Sequence, residues 1–332
     1  MRSKITIADV AREANVSTQT VSRVINNKGE IRPETRQMVL EVIERLNYRP
    51  SPMARGLASS RTRTLGLIVP DIGNSFFAEV VRGAEDVARS CGYQIFLANT
   101  DQEPAREIAA VQGLEDMWVD GILICSARLP DEQLREMLVR RQGVVLVNHE
   151  PVEGAVGSVR LSEERSAQIV TKHLLARGRR KLGMLAGRPG GPAHRARLKG
   201  FRLAMEAAGT PPDDCQIVFC STNPEGGYEA GRTILSAVPD VDALVCFNDL
   251  VAIGALRACR EHQRRVPEDI AVTGFGDSIL ASMVSPSLTT MHESIRELGM
   301  HAARMIIAHL NNEELDRDVV IDAELTIRES AP

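Results

Sequence analysis

Hydrogen-bonding side chains share one face of a predicted helix near the N-terminus. In the segment 18–26, the apolar residues Val21, Val24 and Ile25 lie on one side of this helix. The other side carries Thr18, Gln19, Ser22 and Arg23. Short hydroxyl and amide groups next to one guanidinium suit base edges in the major groove of DNA and the flanking phosphates. The alternative is a solvated helix face, because serine and threonine are common on protein surfaces.

Two further predicted helices flank this segment. Thr6 can cap the first, in which apolar residues recur with helical spacing up to Ala14. The chain turns at Asn15-Val16, and Ser17 can cap the second helix. The third begins near Pro33 and carries Met38, Val39, Val42, Ile43 and Leu46 as its apolar residues. This arrangement predicts a helix-turn-helix unit, and the alternative is a three-helix cap on an enzyme.

Charge is distributed unevenly along the 332 residues. Residues 1–63 carry a net charge of +6 and the remainder −10, although the chain as a whole carries −4. A basic head on an acidic body is expected if only the head meets phosphates. The length predicts two or three domains. No apolar run approaches the ~18 residues that a membrane span needs.

The N-terminus lacks the apolar stretch of a secretory signal, so we expect a cytoplasmic protein acting at the nucleoid. The six cysteines show neither a Cys-x-x-Cys pair nor metal-ligand spacing, which favours free thiols in a reducing compartment. We therefore expect no metal, no membrane partner and no cofactor.

The sequence of residues 7–26, followed by Leu-Asn-Tyr-Arg-Pro at 46–50, resembles the DNA-binding head of the LacI/GalR repressor family. The resemblance implies that Thr18, Gln19 and Arg23 contact operator bases, whereas Thr20 and Ser22 mainly contact phosphates. It also implies that the partner is a pseudo-palindromic, double-stranded operator. The DNA-binding set predicted in the head is Thr6, Ser17, Thr18, Gln19, Thr20, Ser22, Arg23 and Asn26.

Residues 49–63 form a basic, proline-containing linker. Its middle, 53–58, has the length of two helical turns, too short to be stable alone and weakened by Gly56. By resemblance this is the family's hinge helix, which orders on the operator and inserts a leucine into the minor groove. Leu57 occupies that position, beside Ala54 and Arg55. The alternative for Leu57 is ordinary linker packing.

After residue 63, apolar runs alternate with helical stretches. We predict buried strands at 65–69, 94–98, 121–125, 144–147, 182–186, 244–247 and 270–273. This alternation predicts two doubly wound parallel sheets, and the resemblance implies a two-lobed, periplasmic-binding-protein-like α/β body behind the all-α helix-turn-helix head.

The predicted domains are a head over 1–48, a hinge and linker over 49–63, and an effector-binding and dimerisation domain over 64–332. A late helix, 295–310, returns to the first lobe and makes both lobes discontinuous. Lobe 1 covers about 64–161 and 292–322, and lobe 2 covers about 162–291 and 323–332.

Ligands of such sheets bind beyond the carboxyl ends of the strands, here in the cleft between the lobes. The candidate effector-binding residues are Phe76, Phe77, Ser126, Asn148, Arg197, Thr222, Asn248, Asp249, Phe275 and Asp277. Arg197 matches the family's effector-binding arginine, with a helix-surface arginine as the alternative. Asp249 can equally be a helix cap, and either Phe76 or Phe77 can belong to the core. The pattern Phe-Gly-Asp at 275–277 departs from many sugar-responsive members of the family, which carry the aspartate one residue earlier.

Three classes of function are compatible with this body. A solute-binding protein shares its fold but lacks a basic helix-turn-helix head. An enzyme needs a catalytic motif, and no Gly-x-Ser-x-Gly elbow, metal triad or cofactor fingerprint is present. The glycine-rich stretch 187–192 lacks the Lys-Ser/Thr of a phosphate-binding loop and is interpreted as a flexible loop at the cleft rim.

The remaining class is a DNA-binding repressor. We expect a homodimer that controls carbohydrate or sugar-acid catabolism genes, with a sugar or sugar acid as its effector. The alternative is a co-repressor-dependent regulator of another pathway, such as nucleotide metabolism.

Overall fold

The computed structural model describes residues 5–25, 29–48, 61–141, 143–210, 216–314 and 316–332. The predictions for Asn26 and for the hinge residues Ala54, Arg55 and Leu57 lie outside the described residues. The chain divides into two compact units, residues 1–63 and 64–332. In the described part, no helix is long and apolar enough to cross a membrane.

The first unit contains the three predicted helices: α1 (Ile7–Glu13), α2 (Thr18–Ile25) and α3 (Pro33–Arg45). They enclose a small core formed by Val10, Ala11, Ala14, Val21, Val24, Val39, Val42 and Tyr48. Met38 was expected in this core but is 42% exposed, because the buried face of α3 passes through Val39 and Val42.

The second unit contains two six-stranded sheets. The first has the order β11-β5-β4-β3-β1-β2, and all its strands are parallel. Its strands are β1 (Thr64–Val69), β2 (Gln94–Asn99), β3 (Gly121–Cys125), β4 (Val144–Val147), β5 (Gly157–Leu161) and β11 (Asp318–Ile321). A strand is present at the predicted position 94–98, but the prediction that it is buried was wrong. β2 lies at the sheet edge, with Phe96 and Leu97 exposed.

Helices cover both faces of this sheet: α4 (Ser75–Ser90), α5 (Pro104–Asp116), α6 (Asp131–Val139) and α12 (Ile295–Asn311). The first and last of these pack together on one face, and α5 and α6 cover the other. Gly299 allows the close approach of α4 and α12, because a Cβ there would overlap the carbonyl oxygen of Val80. The late helix therefore belongs with the first sheet.

The second sheet has the order β12-β10-β9-β8-β6-β7, with only the β10–β12 pairing antiparallel. Its strands are β6 (Leu182–Ala186), β7 (Ile217–Phe219), β8 (Ala243–Cys246), β9 (Ala271–Phe275), β10 (Thr289–His292) and β12 (Glu324–Thr326). Its helices are α7 (Glu163–Ala176), α8 (Pro192–Ala207), α9 (Pro224–Ala237), α10 (Asp249–Glu261) and α11 (Ile279–Met283). The predicted two-lobed body with doubly wound sheets is confirmed.

The chain passes between the sheets three times. The first crossing, at Ser162, joins β5 to α7, and the second, at 293–294, joins β10 to α12. The third, at 322–323, joins β11 to β12. Any rotation of one lobe against the other must therefore bend the backbone at these three short segments.

Candidate functional site

The start of α2 is fixed by its own side chains. The backbone N–H of Thr20 donates to Ser17 Oγ at 3.0 Å, and the two hydroxyl oxygens lie 2.9 Å apart. Ser17 therefore caps α2, as the sequence predicts. Thr18, Gln19 and Arg23 are exposed. The structure thus presents to solvent the three side chains for which base contacts are predicted.

Thr6 has a local role at the start of α1. Its side chain and that of Asp9 form a reciprocal capping box, with Asp9 accepting from the Thr6 backbone N–H at 2.9 Å. These hydrogen bonds lower the pKa of Asp9. Ser22 is half-buried on α2, next to the core residue Val21. Of the four remaining predicted DNA contacts that the structure describes, Thr6 and Ser17 are exposed helix caps, and Thr20 and Ser22 are half-buried.

A cavity of about 420 Å³ lies between the two sheets of the body. The first lobe contributes Asn148, His149 and Arg160 to its lining, and the second contributes Glu163, Pro192 and Ala196. Its volume falls in the range of small-molecule sites, which often lie between lobes. Of the ten predicted effector residues, Asn148 alone lines this cavity.

Arg197 lies behind the cavity and is almost completely buried, with 4% exposure. Its Nε donates to a carboxylate oxygen of Glu163, and its Nη2 donates to Glu293 Oε1 at 2.9 Å. Nη1 donates to the carbonyl oxygen of Phe247. The Phe275 ring centroid lies 4.2 Å from the guanidinium carbon. A helix-surface arginine is therefore excluded, and its hydrogen bonds are directed to the protein itself.

The two glutamates place this arginine at the crossings between the lobes. Glu163 begins α7 directly after the first crossing, and Glu293 lies in the second. Asn148 Nδ2 donates to Glu163 at 3.4 Å, which extends the network to the cavity wall. Near the third crossing, Asp322 pairs with Arg165 at 3.1 Å on the exposed side of α7.

Negative charge exceeds positive charge in this buried network. Burial would lower the pKa of Arg197, but the charges of Glu163 and Glu293 outweigh it and raise the pKa. Burial, together with Glu163 and Asp249, raises the pKa of Glu293 to about 8, although Arg197 opposes the shift. Three carboxyl groups close to one guanidinium cannot all be charged at low cost. Glu293 therefore releases its proton at a higher pH than an exposed glutamate does.

Asn248 and Asp249 were each candidates for effector binding, with helix capping as the alternative for Asp249. The structure gives the two residues different partners. Asn248 is the N-cap of α10, accepting from the Val251 N–H at 2.9 Å, and its Nδ2 donates to the Thr222 carbonyl at 3.3 Å. Asp249 is not the cap. It is buried and accepts hydrogen bonds from Thr290 Oγ1 and the Ser278 N–H, each at 2.6 Å. Burial raises its pKa despite these bonds.

The strand ends place three other predicted residues in the left-handed backbone region. Ser126, Asn148 and Asp277 have φ angles of 46°, 51° and 48° after β3, β4 and β9. Non-glycine residues rarely adopt this conformation, and it is enriched at ligand sites. Asp277, however, is engaged by Arg328 at 2.6 Å and His292 at 3.0 Å.

The two phenylalanines on α4 pack in the first lobe. Phe77 is buried, and Phe76 is half-buried against the same core. Their ring centroids lie 5.1 Å apart in an edge-to-face arrangement. The core alternative therefore accounts for both side chains.

Sequence reasoning missed Glu163 and Glu293. The available signal was an acidic residue one or two positions after a strand at each of the two lobe boundaries. That signal is weak because glutamates at helix starts are common.

A helix-turn-helix head followed by a two-lobed α/β body defines the class of DNA-binding regulators with a ligand-binding type of body. Residues 6–51 match the family model described as bacterial regulatory proteins, lacI family. Residues 171–331 match the periplasmic binding protein-like domain.

The chain has relatives over almost its whole length. It is 35% identical to catabolite control protein A of Priestia megaterium over 317 residues, or 95% of this chain and 96% of that protein. It is 33% identical to the ribose operon repressor of Halalkalibacterium halodurans over 326 residues, or 98% and 96%.

A solved structure of the complex of the transcriptional regulator CelR with cellobiose is 30% identical, with a TM-score of 0.75 over 98% of this chain and 99% of that chain. The chain therefore belongs to the lacI family of bacterial regulatory proteins, and it is a DNA-binding transcription regulator. The fold and the relatives are those of regulators and not of enzymes.

Glu293→Gln tests the charge excess around Arg197. The carboxyl group takes up a proton on folding between its ordinary pKa of 4.5 and about 8. Wild-type stability should therefore fall as pH rises through this interval, by at most about 1.4 kcal/mol per pH unit. Glu293→Gln should flatten this slope and be more stable than wild type above pH 8. Chemical denaturation from pH 5 to 9 measures both effects.

Glu206→Gln, on the exposed face of α8, is the matched control and should leave the slope unchanged. An unchanged slope in Glu293→Gln would show that Glu293 is ionised throughout this range.

Proposed function

We propose that this chain is a repressor of carbohydrate or sugar-acid catabolism genes. A small molecule bound between the lobes lowers or raises its affinity for the operator. The protein acts by binding and not by catalysis, uses no cofactor, and works on the nucleoid in the cytoplasm. The proposal that a small molecule binds this protein rests on the 420 Å³ cavity, which lies between the lobes and beside the charged crossings.

Sugars are the ligand class that the relatives favour. The structural relative CelR is described in complex with cellobiose, and another relative is named a ribose operon repressor. The cavity fits this chemistry because amide, imidazole and carboxylate groups from Asn148, His149 and Glu163 line it. Such groups form paired hydrogen bonds with neighbouring hydroxyls.

Lobe rotation is the proposed link between ligand and DNA. The cavity is lined by both lobes, so a ligand that bridges them favours one inter-lobe angle over another. The coupling is reciprocal, so the operator must change ligand affinity by the same factor as the ligand changes operator affinity.

We further propose a homodimer. Exposed apolar side chains occur at the edge of the first lobe, at Phe96, Leu97 and Met117, and on α11 of the second lobe. On α11, Ile279 and Met283 are 77% and 72% exposed. Apolar surface of this kind on a soluble chain typically marks a subunit interface. Two copies would place two α2 helices on the two half-sites of a palindrome.

The first experiment is a ligand titration. Purified protein is screened by thermal stability against sugars, sugar acids, sugar phosphates and purines, and each hit is added to an operator-retention assay. A stabilising sugar or sugar acid that releases the operator is the expected result. A ligand that tightens operator binding would instead define a co-repressor system, and a purine hit would support nucleotide metabolism. Ligands that bind without changing operator affinity would refute the allosteric proposal.

Arg23→Ala tests the recognition helix. Loss of a base contact should weaken operator binding by about 1–3 kcal/mol and reduce the preference for operator over scrambled DNA, with effector binding unchanged. Arg45→Ala removes an exposed charge from α3 and is the control. If Arg45 contacts phosphate, this variant should lose the same affinity for the operator as for scrambled DNA. Fluorescence anisotropy titrations of each variant with both DNAs measure these affinities. Equal losses on the two DNAs in Arg23→Ala would exclude base recognition by this side chain.

Ile279→Glu tests the dimer. A charge in a buried apolar contact should shift the mass measured by light scattering from two chains to one and lower operator affinity at least tenfold by separating the heads. Val139→Glu, which changes another exposed apolar side chain of the body, is the control and should leave the mass unchanged. A dimeric Ile279→Glu protein with wild-type operator affinity would place the interface elsewhere.

A further inference from the structure

Arg128 follows β3 in the first lobe and reaches the second. Its backbone N–H donates to Glu107 Oε2 at 2.9 Å, and the N–H of Leu129 donates to Oε1 at 3.5 Å. Its guanidinium lies against Gly191, where a Cβ would overlap Nη1. Gly191 is the N-cap of α8 in the second lobe. Glu107 therefore fixes the backbone of Arg128, and the guanidinium contacts the second lobe at the start of α8.

This guanidinium has no carboxylate partner among the residues that the structure describes. Its Nε is buried and makes no hydrogen bond there. Burial lowers the pKa of Arg128, and the charge of Glu107 opposes the shift without forming an ion pair. Arg197, in contrast, pairs with two carboxylates at the same lobe boundary. A half-buried cation whose nearest carboxylate already accepts from backbone N–H groups is only partly compensated, so Arg128 occupies a position that an anion would complete.

The start of α8 adds positive potential at the same point. This helix has 16 residues, no side-chain cap and no acidic residue in its first turn. Its free N–H groups carry a partial positive charge, which repels a guanidinium and attracts an anion. Arg188 and Arg195 lie in the same stretch. Among the described residues, the one carboxylate paired with them is the exposed Asp131, 3.9 Å from Arg195.

His194 supplies a second unpartnered group on the first turn of α8. Its side chain is buried, with 7% exposure, and Nδ1 has no hydrogen-bond partner in the described part of the chain. The ring bonds to the backbone of Gly187, although burial is the larger effect and lowers the pKa of His194. In the neutral tautomer protonated at Nε2, Nδ1 is a hydrogen-bond acceptor, which suits a ligand hydroxyl.

The start of α8 connects this group to the cavity between the lobes, although Arg128, Gly191 and His194 are not among the residues that line it. Pro192 and Ala193, the first two residues of α8, line the cavity and follow Gly191 directly. An anion beside Arg128 would thus be one end of a molecule that occupies the cavity.

We propose that Arg128 and the first turn of α8 bind an anionic oxygen group of the effector, with His194 accepting from one of its hydroxyls. The effector is then a polyhydroxy acid, either a sugar phosphate or a sugar carboxylate. This inference rests on the proposed ligand site and narrows its chemistry. Because Arg128 comes from one lobe and α8 from the other, the anion also bridges the lobes.

The test is calorimetric titration of the full chain with glucose 6-phosphate, gluconate, glucose and inorganic phosphate. At least one acid should bind wild type, and Arg128→Gln should weaken that binding at least about tenfold, since it removes a hydrogen bond between charged groups. Arg128→Lys, which keeps the charge, should lose less. Arg202→Gln, an exposed arginine further along α8, is the matched control and should bind as wild type. The two acids distinguish a phosphate from a carboxylate, and inorganic phosphate should compete with either.

Thermal unfolding of the free variants supplies a second measurement. Arg128→Gln removes an unpaired, desolvated charge, so its melting temperature without ligand should be above that of wild type. An Arg128→Gln protein that melts lower than wild type and binds the acid equally well would overturn the site.

The remaining outcomes separate this inference from the proposed function. If glucose binds wild type and alters operator retention but neither acid binds, the anion site is wrong and the repressor proposal stands. If none of the four compounds binds, the anion site is overturned as well. If an acid binds through Arg128 but leaves operator retention unchanged, the site is real and the regulatory proposal fails.

Discussion

The buried guanidinium of Arg197 is the interaction on which the geometry of the two-lobed body depends. A guanidinium with 4% exposure requires compensation by negative charge and hydrogen bonds. Glu163 and Glu293 supply both, and each stands at a different crossing between the lobes. The ion pairs therefore tie together two of the three segments at which the lobes can bend.

This arrangement changes what Arg197 can contribute to ligand binding. With Nε, Nη1 and Nη2 already donating to protein oxygens and the Phe275 ring packed against it, the guanidinium acts on the cavity through Glu163. Glu163 lines the cavity and accepts from Asn148. A ligand hydroxyl that hydrogen-bonds this carboxylate would alter a network that extends to both crossings. Such coupling between a cavity wall and a hinge is a physical route from ligand occupancy to lobe rotation.

Much of the fold followed from the sequence because periodicity reports burial directly. The predicted strands at 65–69, 121–125 and 144–147 and the caps at Thr6 and Ser17 match the structure. The burial of β2 was wrong because an apolar run does not show whether its strand lies at the centre or the edge of a sheet.

Side-chain partners in the site were less predictable, because they depend on tertiary pairing. Asp277 follows a strand end as predicted, yet its partner Arg328 lies 51 residues away. Resemblance assigned Arg197 to effector binding, but a motif could not reveal Glu163 and Glu293, the two carboxylates that its guanidinium contacts.

The two arginines at the lobe boundary illustrate how partners, and not residue type, decide a role. Arg197 has carboxylates on two crossings, so its charge is balanced when no ligand is present. Arg128 has Glu107 behind it, but that carboxylate accepts from backbone N–H groups and leaves the guanidinium beside the positive end of α8. Unfavourably placed charges of this kind cluster at functional sites, where binding can compensate for them. The first arginine therefore maintains the connection between the lobes, and in the proposed anion site the second would provide the charge that a ligand neutralises.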